Sequence, residues 1–174
     1  MKRAIVIALA LVTTIVPARA HVGTQWDGND VGGPLDIRRA VIDHGGGRLK
    51  FKVRMQNDFR ARVLRGDSNF VWVDLDTRED QGMDYFAEVK YRRSELRTRV
   101  YRIVDRPDTD VDGKRRVGRG RTSFKNGQVI RLSFRKQLVN IQDGNVRWRV
   151  VAATYGRNWD ETPNNGRMPR HNLS

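Results

Sequence analysis

Apolar and polar residues alternate strictly along residues 47–56, and this pattern constrains the fold more than any other feature. Leu49, Phe51, Val53 and Met55 lie on one side of an extended chain, and Lys, Arg and Gln residues lie on the other. A period of two with one polar side is typical of a half-buried β-strand. Further segments that predict strands are 35–41, 69–75, 84–91, 96–104, 127–134 and 146–155.

Sustained helical periodicity is nearly absent, so these segments predict an all-β protein, an antiparallel β-sandwich of the jelly-roll-like kind. Turn signals connect the strands at 43–47, Asn126-Gly127 and Asp143-Gly144. The polar stretch 105–121 predicts a long loop or a poorly ordered hairpin, residues 135–140 can form one helical turn, and the chain after Gly156 is typical of a loop. No repeat or linker is evident, so residues 21–174 are predicted to form a single domain.

The first twenty residues have the pattern of a secretory signal peptide. A basic start is followed by an apolar run from Ala4 to Val16 and by Ala-Arg-Ala at 18–20, which predicts cleavage after Ala20. The alternative, a membrane anchor, is disfavoured because the run is short for a span. We therefore expect a secreted, extracellular monomer without a later transmembrane segment. The chain has no cysteine, so neither disulfides nor a lipid anchor is expected.

Positive charge is concentrated in one part of the chain. The formal net charge is +14, and residues 90–136 hold sixteen basic and five acidic side chains. Such a field favours anionic partners, although a merely solvated face is the alternative. No nucleic-acid module is recognisable, so the predicted partner is an anionic cell-surface polymer or lipid surface rather than a specific nucleic acid. The residues predicted to bind it are Lys114, Arg115, Arg116, Arg119, Arg121 and Lys125.

An acidic segment, DLDTREDQGMDYFAEV at 74–89, contrasts with this charge. Alternation places Val71, Val73 and Leu75 in the core and predicts that the other side of this strand faces outward. The next strand is predicted to be its hairpin partner, with a carboxylate-rich outer side of its own. Carboxylates would then lie across from one another, which is destabilising unless they are neutralised. The outward residues are Phe70, Trp72, Asp74 and Asp76 on the first strand and Asp84, Phe86, Glu88 and Lys90 on the second.

Two ways of neutralising these acids are open, besides simple exposure to solvent. A Ca²⁺ ion takes six to eight oxygen ligands, and it is the one candidate cofactor. Arginines on neighbouring strands could instead form ion pairs with the acids. The candidate calcium ligands are Asp74, Asp76, Asp80 and Asp84, and the candidate arginines are Arg97, Arg99, Arg147 and Arg149.

Three segments resemble secreted bacterial β-sandwich modules of the DOMON-like and carbohydrate-binding type. They are WVDLDT…GMDYFAEV, DETPNNGR (Asp160, Pro163, Gly166) and WDGNDVGGPLDIRRA near the predicted mature start. The resemblance implies a jelly-roll-like sandwich that binds sugars, haem or calcium, or that only scaffolds another domain. The chain departs from multidomain members because no catalytic partner is attached.

Aromatic residues beside carboxylates are typical of sugar sites, and we expect such a site at Trp72, Phe86, Trp159 and Asp160. The alternative is that the tail covers Trp72. The DGND segment offers Asp27, Asn29 and Asp30 to a second cation, but an Asx turn without metal is the favoured interpretation.

No constellation predicts catalysis. A nucleophile elbow, a His-Glu-x-x-His motif and a phosphate loop are absent from the sequence. His21 would be the first mature residue and could chelate copper, with His44 or His171 as a second ligand, and Met55 is a weak haem candidate. The leading hypothesis is a secreted non-catalytic module that binds a glycan or an anionic polymer. A scaffold without a small ligand and a copper-dependent or hydrolytic enzyme are the alternatives.

Overall fold

Eleven strands and two short 3₁₀ helices make up the described part of this computed structural model, which comprises residues 22–78, 82–104, 113–141, 144–154, 158–164 and 166–173. The 3₁₀ helices are Ala61–Leu64 and Lys136–Val139. The strands are β1 (Gly23–Trp26), β2 (Ile37–Gly45), β3 (Arg48–Met55), β4 (Phe70–Asp76), β5 (Tyr85–Arg92), β6 (Glu95–Val104), β7 (Gly113–Lys125), β8 (Val129–Arg135), β9 (Asn145–Thr154), β10 (Asn158–Thr162) and β11 (Arg170–Asn172).

All strands pair antiparallel in one sheet, in the order β1-β2-β3-β8-β7-β6-β5-β4-β9-β10, and β11 adds to the side of β9. The sheet curls until it is nearly closed into a barrel. The prediction of an all-β antiparallel fold is therefore confirmed, with both layers belonging to one continuous sheet. Among the described residues, no helix is long and apolar enough to cross a membrane.

The core fills the space between the two halves of the curled sheet. Val71, Val73 and Leu75 are fully buried there, as the alternation predicts. Trp148 from β9 meets Phe51 from β3 with ring centroids 5.9 Å apart, which joins the two halves. Met55 is fully buried in the same cluster, where its thioether packs and is closed to an external ligand.

Strand β7 occupies much of the segment that was predicted to be a loop. Residues 113–120 pair with β6, whereas residues 121–125 pair with β8. One strand thus passes from one half of the sheet to the other. Of the two alternatives for this segment, the loop is wrong for residues 113–121 and the hairpin is supported, because β7 pairs antiparallel with β6. Basic residues and glycines on both sides of the strand obscure its alternation. Residues 105–112 lie outside the described residues.

Gly118 and Gly120 serve close packing rather than flexibility. A Cβ atom at Gly120 would lie 2.8 Å from the Ser133 carbonyl oxygen and 2.8 Å from Thr98 Cγ2. At Gly118 a Cβ atom would lie 2.6 Å from Leu138 Cδ1. Both distances are far below a normal contact, so the strand crosses the core only because side chains are missing here.

Other local predictions have mixed outcomes. The turn at 135–140 is confirmed by the second 3₁₀ helix, and Asn126 and Gly127 form a hairpin turn with positive φ angles of 51° and 67°. The prediction of a loop after Gly156 is wrong for β10 and β11, which are short strands added at the edge of β9. Strands of three to five residues carry too little alternation to be recognised.

Gly120→Ala is expected to lower the free energy of unfolding by about 1–3 kcal/mol, because the new methyl group meets a backbone oxygen that cannot move away. Gly45→Ala is the matched control, since the nearest atom to its Cβ would be the flexible Lys50 Nζ at 3.4 Å. Urea denaturation of both variants measures the difference. Equal stability of the two variants would show that β7 does not pack as described.

Candidate binding surfaces and a carboxylate cluster

The acids of β4 and β5 lie on the outer side of the sheet, as predicted, but the described carboxylates of the acidic segment are buried, namely those of Asp74, Asp76, Asp84 and Glu88. Asp74 is 2% exposed, and Arg149 from β9 donates from Nε to Asp74 Oδ2 at 2.9 Å. The same guanidinium donates to Glu161 Oε2 from β10 at 3.1 Å. Burial raises the pKa of Asp74, and the charge and hydrogen bond of Arg149 oppose this shift. One arginine therefore joins three neighbouring strands.

The carboxylate of Asp84 caps the loop between β4 and β5. It accepts hydrogen bonds from Thr77 N at 2.8 Å, from Thr77 Oγ1 at 2.9 Å and from Arg78 N at 3.1 Å, and it forms an ion pair with the Arg78 side chain. Asp76 accepts from Arg78 N at 3.2 Å. Hydrogen-bond donors of the protein itself thus contact both carboxylates.

The contacts favour arginine over calcium at this segment. In the described part of the chain, Asp74, Asp76 and Asp84 do not form a group of three ligand atoms that could surround one ion. Asp80 lies outside the described residues. Arg147 is the cross-strand neighbour of Asp76, as the arginine alternative requires. Arg97 instead forms an ion pair with Glu95 at 2.7 Å.

The structure brings three of the four residues that were predicted to form a sugar site together and places the fourth, Asp160, elsewhere. Trp159 is 51% exposed and meets the half-buried Trp72 edge to face, with ring centroids 6.4 Å apart. Phe86 is only 4% exposed and stacks on Tyr101. The side chain of Asp160 alternates to the other side of β10, where it accepts a hydrogen bond from Ile37 N. Trp72, Trp159 and Phe86 therefore share a face, with the Phe86 ring centroid 5.3 Å from that of Trp72. Phe86 and Asp160 are buried, and the sugar site stays a prediction.

The predicted basic loop is a basic stripe along β7. Register places Arg116, Arg119, Arg121 and Lys125 on its outer side, and Arg115 on the opposite side beside Arg102. Lys114 belongs to the outer side, because its Nζ lies 5.6 Å from the Phe86 ring centroid and 5.3 Å from that of Tyr101. The stripe runs through both halves of the sheet, which spreads these cations over a long surface.

A basic cleft of about 740 Å³ gathers cations that the sequence did not indicate as a group. It lies between the β5–β6 hairpin, β7 and the loop after the first 3₁₀ helix. Arg119 is the one member that belongs to the predicted basic cluster. The residues in its wall include one acid, Asp67, and seven bases: Arg65, Lys90, Arg92, Arg93, Arg97, Arg99 and Arg119.

Backbone geometry fixes the rim and the floor of this cleft. Arg93 and Ser94 form the tip of the β5–β6 hairpin with φ angles of 51° and 66°, a region that disfavours residues other than Gly, Asn and Asp. On the floor, Lys90 Nζ donates to the carbonyls of Gly66 and Asp67 at 2.6 and 3.0 Å. Burial lowers the pKa of Lys90, and the negative charge of Glu88 opposes that shift.

A second group of carboxylates lies where the two ends of the sheet approach each other. Asp27 follows β1, Asp30 belongs to the next loop and Asp160 lies on β10, and their ligand atoms are all within 4.8 Å of one another. Asn164 Nδ2 donates to Asp30 Oδ2. The DGND and DETPNN segments, far apart in the sequence, thus meet in space. Of this group, the sequence offered Asp27 and Asp30 to a cation, although an Asx turn without metal was the favoured interpretation.

The environment of this group disfavours its negative charges. Burial raises the pKa of Asp160 to about 7, the charges of Asp27, Asp30 and Asp36 act in the same direction, and the hydrogen bond from Ile37 N opposes them. Burial and then the charge of Asp30 raise the pKa values of Asp27 and Asp36.

Two histidines are also brought together. The rings of His44 on β2 and His171 on β11 meet edge to face, with centroids 5.7 Å apart. His21 lies outside the described residues, so the hypothesis of copper chelation at that residue stays a prediction.

Arg149→Met is expected to destabilise the protein by about 3–5 kcal/mol, because it leaves the buried Asp74 carboxylate without its ion pair. Asp74→Asn in the same background is expected to recover much of this loss, since the amide carries no charge. Urea unfolding of the single and double variants measures the coupling. Additive effects would contradict a direct interaction.

No family model matches the sequence, and the searches of curated proteins and of solved structures give no match. The function is therefore inferred from the chemistry of the surfaces described above.

Proposed function

We propose that the protein is a secreted, monomeric, non-catalytic binding module whose ligand is an anionic glycan polymer of the cell surface, held in the basic cleft. The observation that carries this proposal is the wall of the cleft, in which six arginines and one lysine accompany a single acid. Guanidinium groups match carboxylate, phosphate and sulfate groups with two parallel hydrogen bonds. A polymer that repeats such groups suits an extended cleft.

The arrangement of the cations supports a role in binding rather than in folding. Arg99 on β6 and Arg119 on β7 are direct cross-strand partners, and like charges in such a pair are destabilising. Neither has an ion pair in the described part of the chain, whereas Arg149 and Arg78 do. A chain under selection for stability alone would place an acid or a neutral residue at one of these positions.

A row of cross-strand partners connects the cleft with the face of the sheet that holds Trp72 and Trp159. From β7 to β4 the row is Arg119, Arg99, Glu88 and Trp72, and Trp159 extends it at the edge. Three strand spacings amount to about 15 Å, the length of a few sugar rings. This geometry favours a glycan whose acidic groups occupy the cleft while a ring stacks on the exposed Trp159.

Arg99→Gln with Arg119→Gln is expected to weaken binding to dextran sulfate by about tenfold or more, because charge-assisted hydrogen bonds contribute about 1.5–3 kcal/mol each. The matched control is Arg54→Gln with Arg131→Gln, which removes the same charge from exposed positions on β3 and β8. Calorimetric titration at low and moderate salt measures affinity, with uncharged dextran as the blank polymer.

The cleft variant is also expected to melt at the same or a higher temperature than the wild type, because a like-charge pair is removed. Unchanged affinity of the Arg99→Gln, Arg119→Gln variant would overturn the proposal. An equal loss of affinity in the control would also overturn it, since binding would then follow net charge alone. A wild type that binds no anionic polymer would favour the scaffold without a small ligand.

A copper site is the second candidate, and the approach of His44 and His171 favours it. Imidazole is a preferred ligand of copper. His171→Ala is expected to weaken Cu²⁺ binding at least tenfold, measured by competition with a chelating dye, while leaving dextran sulfate binding unchanged. If an N-terminal His21 takes part, one residue added before it abolishes tight binding. Equal Cu²⁺ affinity of His171→Ala and wild type would exclude the pair as a site.

A further inference from the structure

Three carboxylates converge at the seam between the two ends of the sheet, and a fourth, Asp36, lies next to them outside the convergent group; we call the four the seam carboxylates. They are Asp27, Asp30, Asp36 and Asp160. The first two and Asp160 bring their ligand atoms within 4.8 Å of one another. Asp36 directly precedes Ile37, whose N–H donates to Asp160 Oδ2, and its charge acts on that of Asp160.

The seam carboxylates lack the ion pairs that neutralise the acids of β4 and β5. In the parts of the chain that the structure describes, no lysine, arginine or histidine forms a salt bridge with any of the four. Burial without such compensation is costly for a carboxylate. The chain has a net charge of +14, so the absence of a cationic side chain at this position is not a shortage of bases.

Asp36 gives an independent indication of a ligand. Its side chain is 1% exposed, and neither carboxylate oxygen has a hydrogen-bond partner among the described residues. Asp27 Oδ2 is likewise buried without a partner. Buried polar atoms almost always have partners, so these oxygens are arranged to receive a group from outside the chain.

We propose that the seam carboxylates bind one hard divalent cation, with Ca²⁺ as the best match. The donors are oxygens, which calcium prefers, and calcium tolerates six to eight ligands in irregular geometry. Mg²⁺ demands a near-ideal octahedron and retains several waters, which suits three convergent carboxylates less well. Transition metals favour imidazole or thiolate ligands, and the group contains neither.

The position of the site gives the ion a structural role. The two ends of the sheet are joined there by few bonds, including Ile37 N to Asp160 and the Gln25 Nε2 donor to the Trp148 carbonyl at 3.3 Å. A cation held by Asp27 and Asp30 on one side and Asp160 on the other links β1 and β2 to β10. Its binding free energy then adds to the free energy of folding.

The test begins with purified protein freed of metal by chelator and dialysis. Melting is recorded in chelator, in 1 mM Ca²⁺ and in 1 mM Mg²⁺, and calorimetric titration gives the stoichiometry. We expect Ca²⁺ to raise the Tm by about 5 °C or more at a concentration far above its Kd, with one ion per chain. Mg²⁺ should have a smaller effect. A Tm that is the same in calcium and in chelator would overturn the proposal.

Variants distinguish the site from general ion effects. Asp30→Asn is the main test, because Asp30 is exposed and its loss should not prevent folding. We expect it to abolish at least half of the calcium-induced Tm shift while melting no lower than wild type in chelator, since it removes a repelling charge. Asp58→Asn is the matched control and should keep the full shift, because Asp58 is exposed and is not a member of the convergent group.

Asp36→Asn is a second test of the same site. We expect it to weaken calcium binding in the titration by about tenfold or more, because it removes a buried, unpaired negative charge beside the three ligands. A full calcium shift in both Asp30→Asn and Asp36→Asn would overturn the proposal, as would an equal reduction in the Asp58→Asn control.

Discussion

Strand β7 takes part in both halves of the sheet, and the rest of the fold depends on this strand. The first eight residues of β7 pair with β6 and the last five with β8, so the sheet turns over on itself at the change of partner. Gly118 and Gly120 permit this because they face packed neighbours without a side chain. Without that crossing, the half formed by β1, β2, β3 and β8 would not be continuous with the half formed by β6, β5, β4, β9 and β10.

Charge is distributed in a way that separates folding from binding. Where carboxylates face arginines across strands, as Asp74 faces Arg149, the pair is buried and contributes to structure. Arg99 and Arg119 of the basic cleft face each other instead. The seam carboxylates are the opposite case, acids gathered without bases.

The sequence predicts the side on which a residue lies better than the depth at which it is buried. Val71, Val73 and Trp148 lie inward as alternation indicates, but Asp74 is buried on the outer side. Its burial depends on Arg149 and Glu161, which lie far along the chain and arrive only through the pairing of β9 and β10. The convergence of Asp27 with Asp160, and of Arg65 with Arg119, is likewise a property of topology. No local pattern encodes it.

The pairing of β4 with β9 has a consequence for the order of folding. Arg149 and Asp74 are 75 positions apart, whereas β4 to β8 follow one another as neighbouring hairpins. Chains whose contacts join residues far apart in the sequence fold slowly, because the entropy of closing a long loop is lost before the contact stabilises the chain. We expect the β4–β8 meander to form first and β9 to β11 to add last. A newly made chain would thus hold only a partial sheet, with the outer carboxylates of β4 still without Arg149, until its final thirty or so residues have joined the rest.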